Sequence, residues 1–284
     1  MATPVNDGLL EIFDVEHGAC AMLTIPYGQG YRRMMVDCGH NSSSGWTPAR
    51  HLRRLGTSKL ERLVITNYDE DHVSGYKEMM DSGIFVEWMW RNESVSANTI
   101  RQLKSEDGMG RGIDALVTSL SGFTPAAPGV TAPEFPGVGM QVFHNNYPAF
   151  DDENNLSLVL LLTFRNITIM FPGDMECAGF EHLLKTDLSF ARALQGVDIL
   201  VASHHGRQNG ICPAMFDDWK CKPQFVIISD DYKQYNTQET TNYYASKCGT
   251  GLNNFRGPGV RKVLTTRKDG DITFSWANGQ CTVF

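Results

Sequence analysis

Short apolar runs broken by glycine-rich and acidic turns recur along the chain, and amphipathic stretches alternate with them. Runs of strand length cover residues 9–15, 20–25 and 32–36, the last two joined by a hairpin turn at Tyr27-Gly28-Gln29-Gly30. Further runs at 63–66, 85–90, 138–143, 157–164, 167–171, 199–202 and 225–229 also read as strands. The segments 263–266 and 272–276 predict a closing hairpin about Lys268-Asp269-Gly270. Helical spacing predicts helices over 48–55, 75–81, 97–104, 113–120, 176–184, 187–194 and 237–247, the first with Thr47 as its cap and Pro48 in its first turn. Residues 122–138, rich in Pro, Gly, Ala and Thr, predict an extended surface connection and not a domain linker, because strand-like runs resume on both sides. Strands mixed with helices, repeated twice, predict an α/β fold with two sheets face to face and helices outside, formed by one domain over residues 1–284.

Several of these runs end alike. The run at 63–65 leads into Thr66-Asn67-Tyr68-Asp69-Glu70-Asp71-His72-Val73-Ser74-Gly75, which crowds three carboxylates and an imidazole into consecutive positions. Others end in Asp37-Cys38-Gly39, in Gly173-Asp174 and in His204-His205-Gly206. Carboxylate oxygen and imidazole nitrogen are ligands for Zn, Mn and Fe. In layered α/β proteins, ligands gather at the carboxyl edge of the strands. Taken alone, the acidic loop also reads as a solvated turn with an incidental histidine. Four strand ends of one grammar predict a shared metal site.

Composition narrows the class. The chain has 284 residues and a formal net charge of -7, which disfavours duplex DNA binding through a broad basic face. A modest basic stretch from Arg50 through Arg53, Arg54 and Lys59 to Arg62 reads as the solvated face of a helix. The seven cysteines form no Cys-x-x-Cys pair and are irregularly spaced, so they read as reduced, mostly buried thiols. No signal pattern opens the sequence, and the longest apolar stretch, 156–162, is too short to span a bilayer. The expected location is cytoplasmic, with no membrane association.

The order Asp-Cys-Gly, acidic His loop, Gly-Asp and His-His-Gly resembles the metallo-β-lactamase fold superfamily. Within it, the chain is most similar to the soluble hydrolase domain of the DNA-uptake competence protein ComEC. Phe13-Asp14-Val15 with Gly18 and Cys20, Asn154-Asn155-Leu156-Ser157-Leu158-Val159-Leu160, and Thr266 with Asp269-Gly270-Asp271-Ile272 carry that narrower likeness. The resemblance implies an αββα sandwich with one or two divalent ions, Zn or Mn, at the edge of the sheets. It implies metal ligation by Asp71, His72, Asp174 and one of His204 and His205, with Asp174 as the bridging carboxylate. It places Asn67 and Asp69 where the superfamily's loop carries histidines, and leaves His144 and Asn155 as the available groups for a third first-site ligand. Asp69 is counted with the metal ligands, and Asn67, whose amide oxygen is a weak zinc ligand, stands as an open case.

The chemistry also follows from the residues. A divalent ion lowers the pKa of bound water and polarises the bond under attack. An oxygen-rich ligand set suits Mn as well as Zn. Asp71, Asp174 and His205 are the expected catalytic groups. The spare histidine, the Ser203 hydroxyl or the Arg207 guanidinium could neutralise a phosphate oxygen. His17 sits in a turn from which it could approach the site; His40 reads as a loop residue, and His51 and His182 as surface or packing residues. Asp37 reads as a buttress behind the acidic loop, and Trp90 as core. The leading function is a metal-dependent phosphodiesterase or nuclease acting on a phosphodiester or nucleotide substrate. A hydrolase of a small ester or thioester, and a non-catalytic binding module with a protein partner, are the alternatives.

Overall fold

The computed structural model describes residues 6–105, 108–122, 130–233 and 236–284. Two large sheets form its centre. One has seven strands in the order Gln280–Val283, Ile272–Ala277, Gly8–Ile12, Ala21–Tyr27, Gly30–Val36, Arg62–Val64 and Met89–Trp90. The other has six, in the order Val263–Thr265, Phe225–Ile228, Ile199–Val201, Ile167–Phe171, Leu158–Phe164 and Val138–His144.

Side-chain alternation along these strands builds three apolar layers. Leu10, Leu23, Met34 and Val36 of the first sheet meet Leu158, Leu160, Leu162, Ile169 and Ile227 of the second. Met22, Met35 and Leu63 point the other way, onto a helical layer that includes Leu52, Met79, Ile100 and Leu116. Val159, Leu161, Met170 and Val226 point outward from the second sheet onto Phe180, Leu184, Phe190 and Tyr244. The continuous apolar run at 158–162 is thus a strand buried on both faces. Helix, sheet, sheet, helix is the αββα sandwich that the resemblance implies.

Most predicted elements form within a residue or two of their expected limits, and Thr47 caps the helix Pro48–Arg54 by accepting from the Arg50 amide at 3.2 Å. Three expectations need correction. The closing hairpin does not form: Val263–Thr265 pairs with Phe225–Ile228, whereas Ile272–Ala277 pairs with Gly8–Ile12 in the other sheet. Between them, Thr266–Asp269 makes one helical turn that carries the chain across the sandwich. The run at 85–90 splits, Phe85–Val86 pairing with Lys59–Leu60 and Met89–Trp90 with Arg62–Val64. Arg62 is not on a solvated face: it is a buried strand residue, its guanidinium 4.1 Å from the Trp90 ring and donating to the Pro133 carbonyl at 2.9 Å. Within the expected connection at 122–138, residues 123–129 lie outside the described residues. The cysteines are free, and none is exposed. No helix among the described residues is long and apolar enough to cross a membrane.

The parallel strands Gly30–Val36 and Arg62–Val64, and likewise Ile167–Phe171, Ile199–Val201 and Phe225–Ile228, run in common directions within their sheets. Their carboxyl ends deliver Asp37, Thr66, Asp174, His205 and Ser229 to the walls of one small cavity.

Candidate metal centre

The acidic loop is built by close backbone packing. Gly39 and Gly18 both abut the Asp71 carbonyl: a Cβ at either position would lie 2.5 Å from that oxygen. The Cys38 amide donates to the His72 carbonyl at 2.8 Å, and the Gly75 amide donates to the Cys38 carbonyl at 2.9 Å. The Asp-Cys-Gly turn therefore seats the short helix Glu70–Val73 by main-chain contacts that only glycine allows.

Asp37 orients the first histidine. Its carboxylate accepts from the Thr66 amide at 2.7 Å, from the Thr66 hydroxyl, and from His72 Nδ1 at 2.9 Å. A carboxylate can only accept, so Nδ1 of His72 carries the proton, and Nε2 faces Asp174 Oδ1 at 3.0 Å. His205 is held the same way: Nδ1 donates to the Ser229 carbonyl at 2.9 Å. Its Nε2 lies 3.0 Å from Asp71 Oδ2 and 3.5 Å from Asp174 Oδ2. Neither contact has hydrogen-bond geometry, so this buried nitrogen has no hydrogen-bond partner.

Ligand atoms of His72, Asp174 and His205 lie within 4.8 Å of one another, as do those of His17, Asp71 and His205. Each triad has the spacing for an ion about 2 Å from its donors, and the two share His205. The cavity among them, about 30 Å³, is lined by Asp37, His72, Asp174 and His205 among others. It has room for about one water or ion.

Charge in the site is strongly coupled. Burial disfavours an imidazolium at His72, yet Asp174 and Asp37 hold its pKa well above the usual histidine range. Burial likewise opposes charge on His205, and Asp174 and Asp71 override it, raising the pKa to about 10. Burial would raise Asp71, but His205 brings it down to about 2. Asp174 is held well below the carboxylate range, against its burial, by His72 and His205. The two carboxylates thus demand two positive charges. A divalent cation meets that demand with both imidazoles neutral and their Nε2 lone pairs turned inward.

Each expected site residue has a definite place. Asp71, His72, Asp174 and His205 converge. His204 lies beside them, Nε2 4.0 Å from Asp174 Oδ2 and Nδ1 3.5 Å from Glu176 Oε1. Both histidines adopt left-handed backbone, φ 50° and 52°, and their rings lie 6.4 Å apart, edge to face, each with a nitrogen toward Asp174 Oδ2. Asp69 turns away to Lys104, and Asn67 donates its amide to Ser157 Oγ at 3.0 Å. His144 and Asn155 are not brought in: His144 Nδ1 contacts the Asn145 carbonyl at 3.2 Å, and Asn155 Oδ1 accepts from the Gly179 amide at 2.8 Å. Ser203 is spent on the Met175 carbonyl, 2.5 Å away, and does not serve an incoming oxygen.

His17 joins the group more closely than its sequence context suggested. Its Nε2 lies 3.6 Å from Asp71 Oδ2 and its ring centroid 4.5 Å from that of His205. The signal was the turn Glu16-His17-Gly18: Glu16 takes positive φ, and its carboxylate accepts from the amides of Ser42 and Ser43 at 3.1 and 3.0 Å, tying the turn over the site. Burial, then the nearby His205, lowers the His17 pKa to about 4. Arg207 spans His204 Nε2 at 3.3 Å and His17 Nε2 at 3.1 Å, with no carboxylate partner among the described residues.

No family model matches the chain, and no curated protein matches it. Among solved structures, it is similar to a diphosphatase from the PhnP family, at 12% identity over 94% of this chain and 97% of that one, with a TM-score of 0.44. It is similar to unliganded yeast PDE1, at 11% identity over 90% of this chain and 97% of that one, with a TM-score of 0.49. It is also similar to CmlA, a diiron β-hydroxylase from Streptomyces venezuelae, at 11% identity over 87% of this chain and 51% of that one, with a TM-score of 0.47. At these identities and scores the likeness assigns no activity. The chemistry rests on this chain's own residues.

Proposed function

We propose that the chain is a metal-dependent hydrolase of phosphodiesters, with Asp71, His72, Asp174 and His205 holding a divalent ion. The observation that carries this reading is the buried, unpartnered Nε2 of His205, aimed between two carboxylates beside a second oriented histidine. Three or four protein ligands are what an open catalytic site needs. When bound, the ion supplies Lewis acidity and makes water acidic enough to attack near neutral pH.

The protein supplies the rest. Asp37 and the Ser229 carbonyl fix the tautomers of His72 and His205, so that one nitrogen of each ring remains for the centre. Asp71 and Asp174, both held as carboxylates by the neighbouring histidines, would supply oxygen ligands to the ion and accept hydrogen bonds from a water beside it. Arg207, without a carboxylate of its own, presents a planar fork at the mouth, a geometry that suits two phosphate oxygens. His17, largely neutral above its lowered pKa of about 4, can accept or pass a proton beside that fork.

A panel of single-stranded, duplex, cyclic and dinucleotide phosphodiesters with Mn, Zn or Mg is the test. Turnover of any one of them, lost in Asp71→Ala/His72→Ala, is expected. A blank panel with fully metal-loaded protein sinks the hydrolase assignment.

A further inference from the structure

Arg62 breaks the pattern of its own strand. Val64 belongs to the apolar layer between the two sheets, and Leu63 to the helical layer behind. Alternation therefore sends the Arg62 side chain between the sheets, where an apolar residue would pack. The residue is only 3% exposed. Its guanidinium lies 4.1 Å from the Trp90 ring and 5.1 Å from the Phe135 ring. Its hydrogen bonds are all to neutral groups: Nη2 donates to the Pro133 carbonyl at 2.9 Å and Nη1 to the Met140 thioether at 3.0 Å. The buried Nε has no acceptor. Among the described residues the guanidinium has no carboxylate partner. Burial draws its pKa down to about 10, which leaves it charged near neutral pH. Ring contacts offset only part of the cost of taking such a charge out of water.

The same side chain lines a groove of about 520 Å³, a volume usual for small-molecule sites. The groove lies where the edge strands of the two sheets face each other, with Trp90 on one wall, Val138 and Met140 on the other, and Pro133 between them. Glu134, exposed at the lip, is the other charged residue there. No residue of this groove lines the small cavity of the candidate metal centre.

We propose that this groove binds a small monocarboxylate with an apolar body, the carboxylate replacing the Met140 thioether on Arg62 and the body lying against Trp90 and Pro133. A thioether is a weak acceptor, and the flexible methionine side chain can swing aside. Guanidinium and carboxylate match as planar partners. One buried cation, opposed by Glu134 at the lip, suits a single negative charge and disfavours a polyanion. The site stands apart from the metal-hydrolase reading and does not depend on it.

The test is a ligand-observed NMR titration of the full chain, without added metal, using phenylbutyrate and its uncharged amide, phenylbutyramide. Wild type should hold the acid roughly tenfold or more tighter than the amide, as a hydrogen bond to a charged group requires. Arg62→Met puts an apolar chain at a core-facing position, so it should fold, and it should lose that preference. Equal affinity for acid and amide in wild type, or binding of neither, overturns the proposal. So does a preference that survives in folded Arg62→Met, which would place the carboxylate elsewhere. If Arg62→Met does not fold, Glu134→Gln decides: the acid should bind more tightly with the amide unchanged, and an acid affinity no higher than wild type overturns the proposal.

Discussion

Asp37 and His72 form a buried pair, Nδ1 to Oδ2 at 2.9 Å, and that pair fixes which nitrogen of His72 is presented to the centre. The carboxylate comes from one strand end and the imidazole from the loop after its parallel neighbour. Asp37→Asn keeps the size of the side chain but can present an N–H to the ring in place of an acceptor. Metal affinity should fall roughly ten- to hundredfold, with the circular dichroism spectrum unchanged. Titration with Mn measures it, and an affinity equal to wild type would contradict the orienting role.

Added metal should raise the melting temperature. An ion that binds only the folded chain stabilises it by about 2.7 kcal/mol at a hundredfold excess over its dissociation constant. Chelation should reverse the gain. Thermal melts of wild type and of Asp71→Ala/His72→Ala, each with and without Mn, make the comparison. An equal rise in the double variant would show that metal acts elsewhere.

Arg207→Ala should slow phosphodiester turnover by roughly ten- to hundredfold, the loss of about 1.5–3 kcal/mol for a hydrogen bond to a charged group. Arg207→Lys should restore only part of it, because an ammonium cannot match the planar fork. Steady-state kinetics on whichever substrate the panel identifies is the measurement. Full activity in the alanine variant removes Arg207 from substrate binding.

Gly39→Ala should be severe. The new methyl would lie 2.5 Å from the Asp71 carbonyl and 2.9 Å from that of Ala19, both main-chain atoms that cannot swing away. A stability loss at or above the usual 1–3 kcal/mol for overpacking is expected, together with weakened metal binding. Urea unfolding tests the first and metal counting the second. A neutral result would mean that the turn relaxes freely.

Glu11 gives a pH signature away from the site. Burial first, and Asp271 second, raise its pKa from 4.5 to about 7, with Arg54 opposing them. Its neighbour His51, Nε2 3.9 Å away, is itself lowered to about 4 by burial, then by Arg54, and so offers little positive charge in return. The folded chain holds the Glu11 proton to higher pH than the unfolded chain does. This contribution to stability is complete below pH 4.5 and is lost as pH rises toward about 7. Glu11→Gln should therefore raise the melting temperature at pH 8 and leave it nearly unchanged at pH 4.5. A gain of the same size at both values would break the link to ionisation.

Much of this architecture was legible in the pattern of the chain. The run at 157–164 announced a strand, and the repeated Asp- and His-bearing strand ends announced a common edge. What local pattern could not say is where a side chain turns. Asp69, Glu70 and Asp71 are one acidic cluster on paper, but Asp69 is the extended residue before the helix Glu70–Val73, and Glu70 and Asp71 point about 100° apart within it. They reach the Lys104 ammonium, the start of the helix Arg111–Ser121 and the candidate centre. His17 was legible as a turn residue within reach of the site but not as a member of it, since the contacts that hold its turn come from Ser42 and Ser43. The hairpin expected about Lys268-Asp269-Gly270 failed for a related reason. The Asp269 carboxylate accepts from the Thr265 amide at 2.9 Å and pairs with Arg261 at 2.8 Å, closing the turn without fixing which sheet receives the next strand.

The crossing at Thr266–Asp269 also sets the order in which the molecule can be completed. Gly8–Ile12 has Ala21–Tyr27 on one side from early in synthesis, but its other edge stays open until Ile272–Ala277 leaves the ribosome. Until then an apolar strand, flanking the very turn that carries His17, waits with unpaired amides and carbonyls. Such distant pairing slows folding, and an open strand edge invites association between nascent chains. Assembly of the centre is in this sense a late event, tied to the arrival of the last strands of the first sheet.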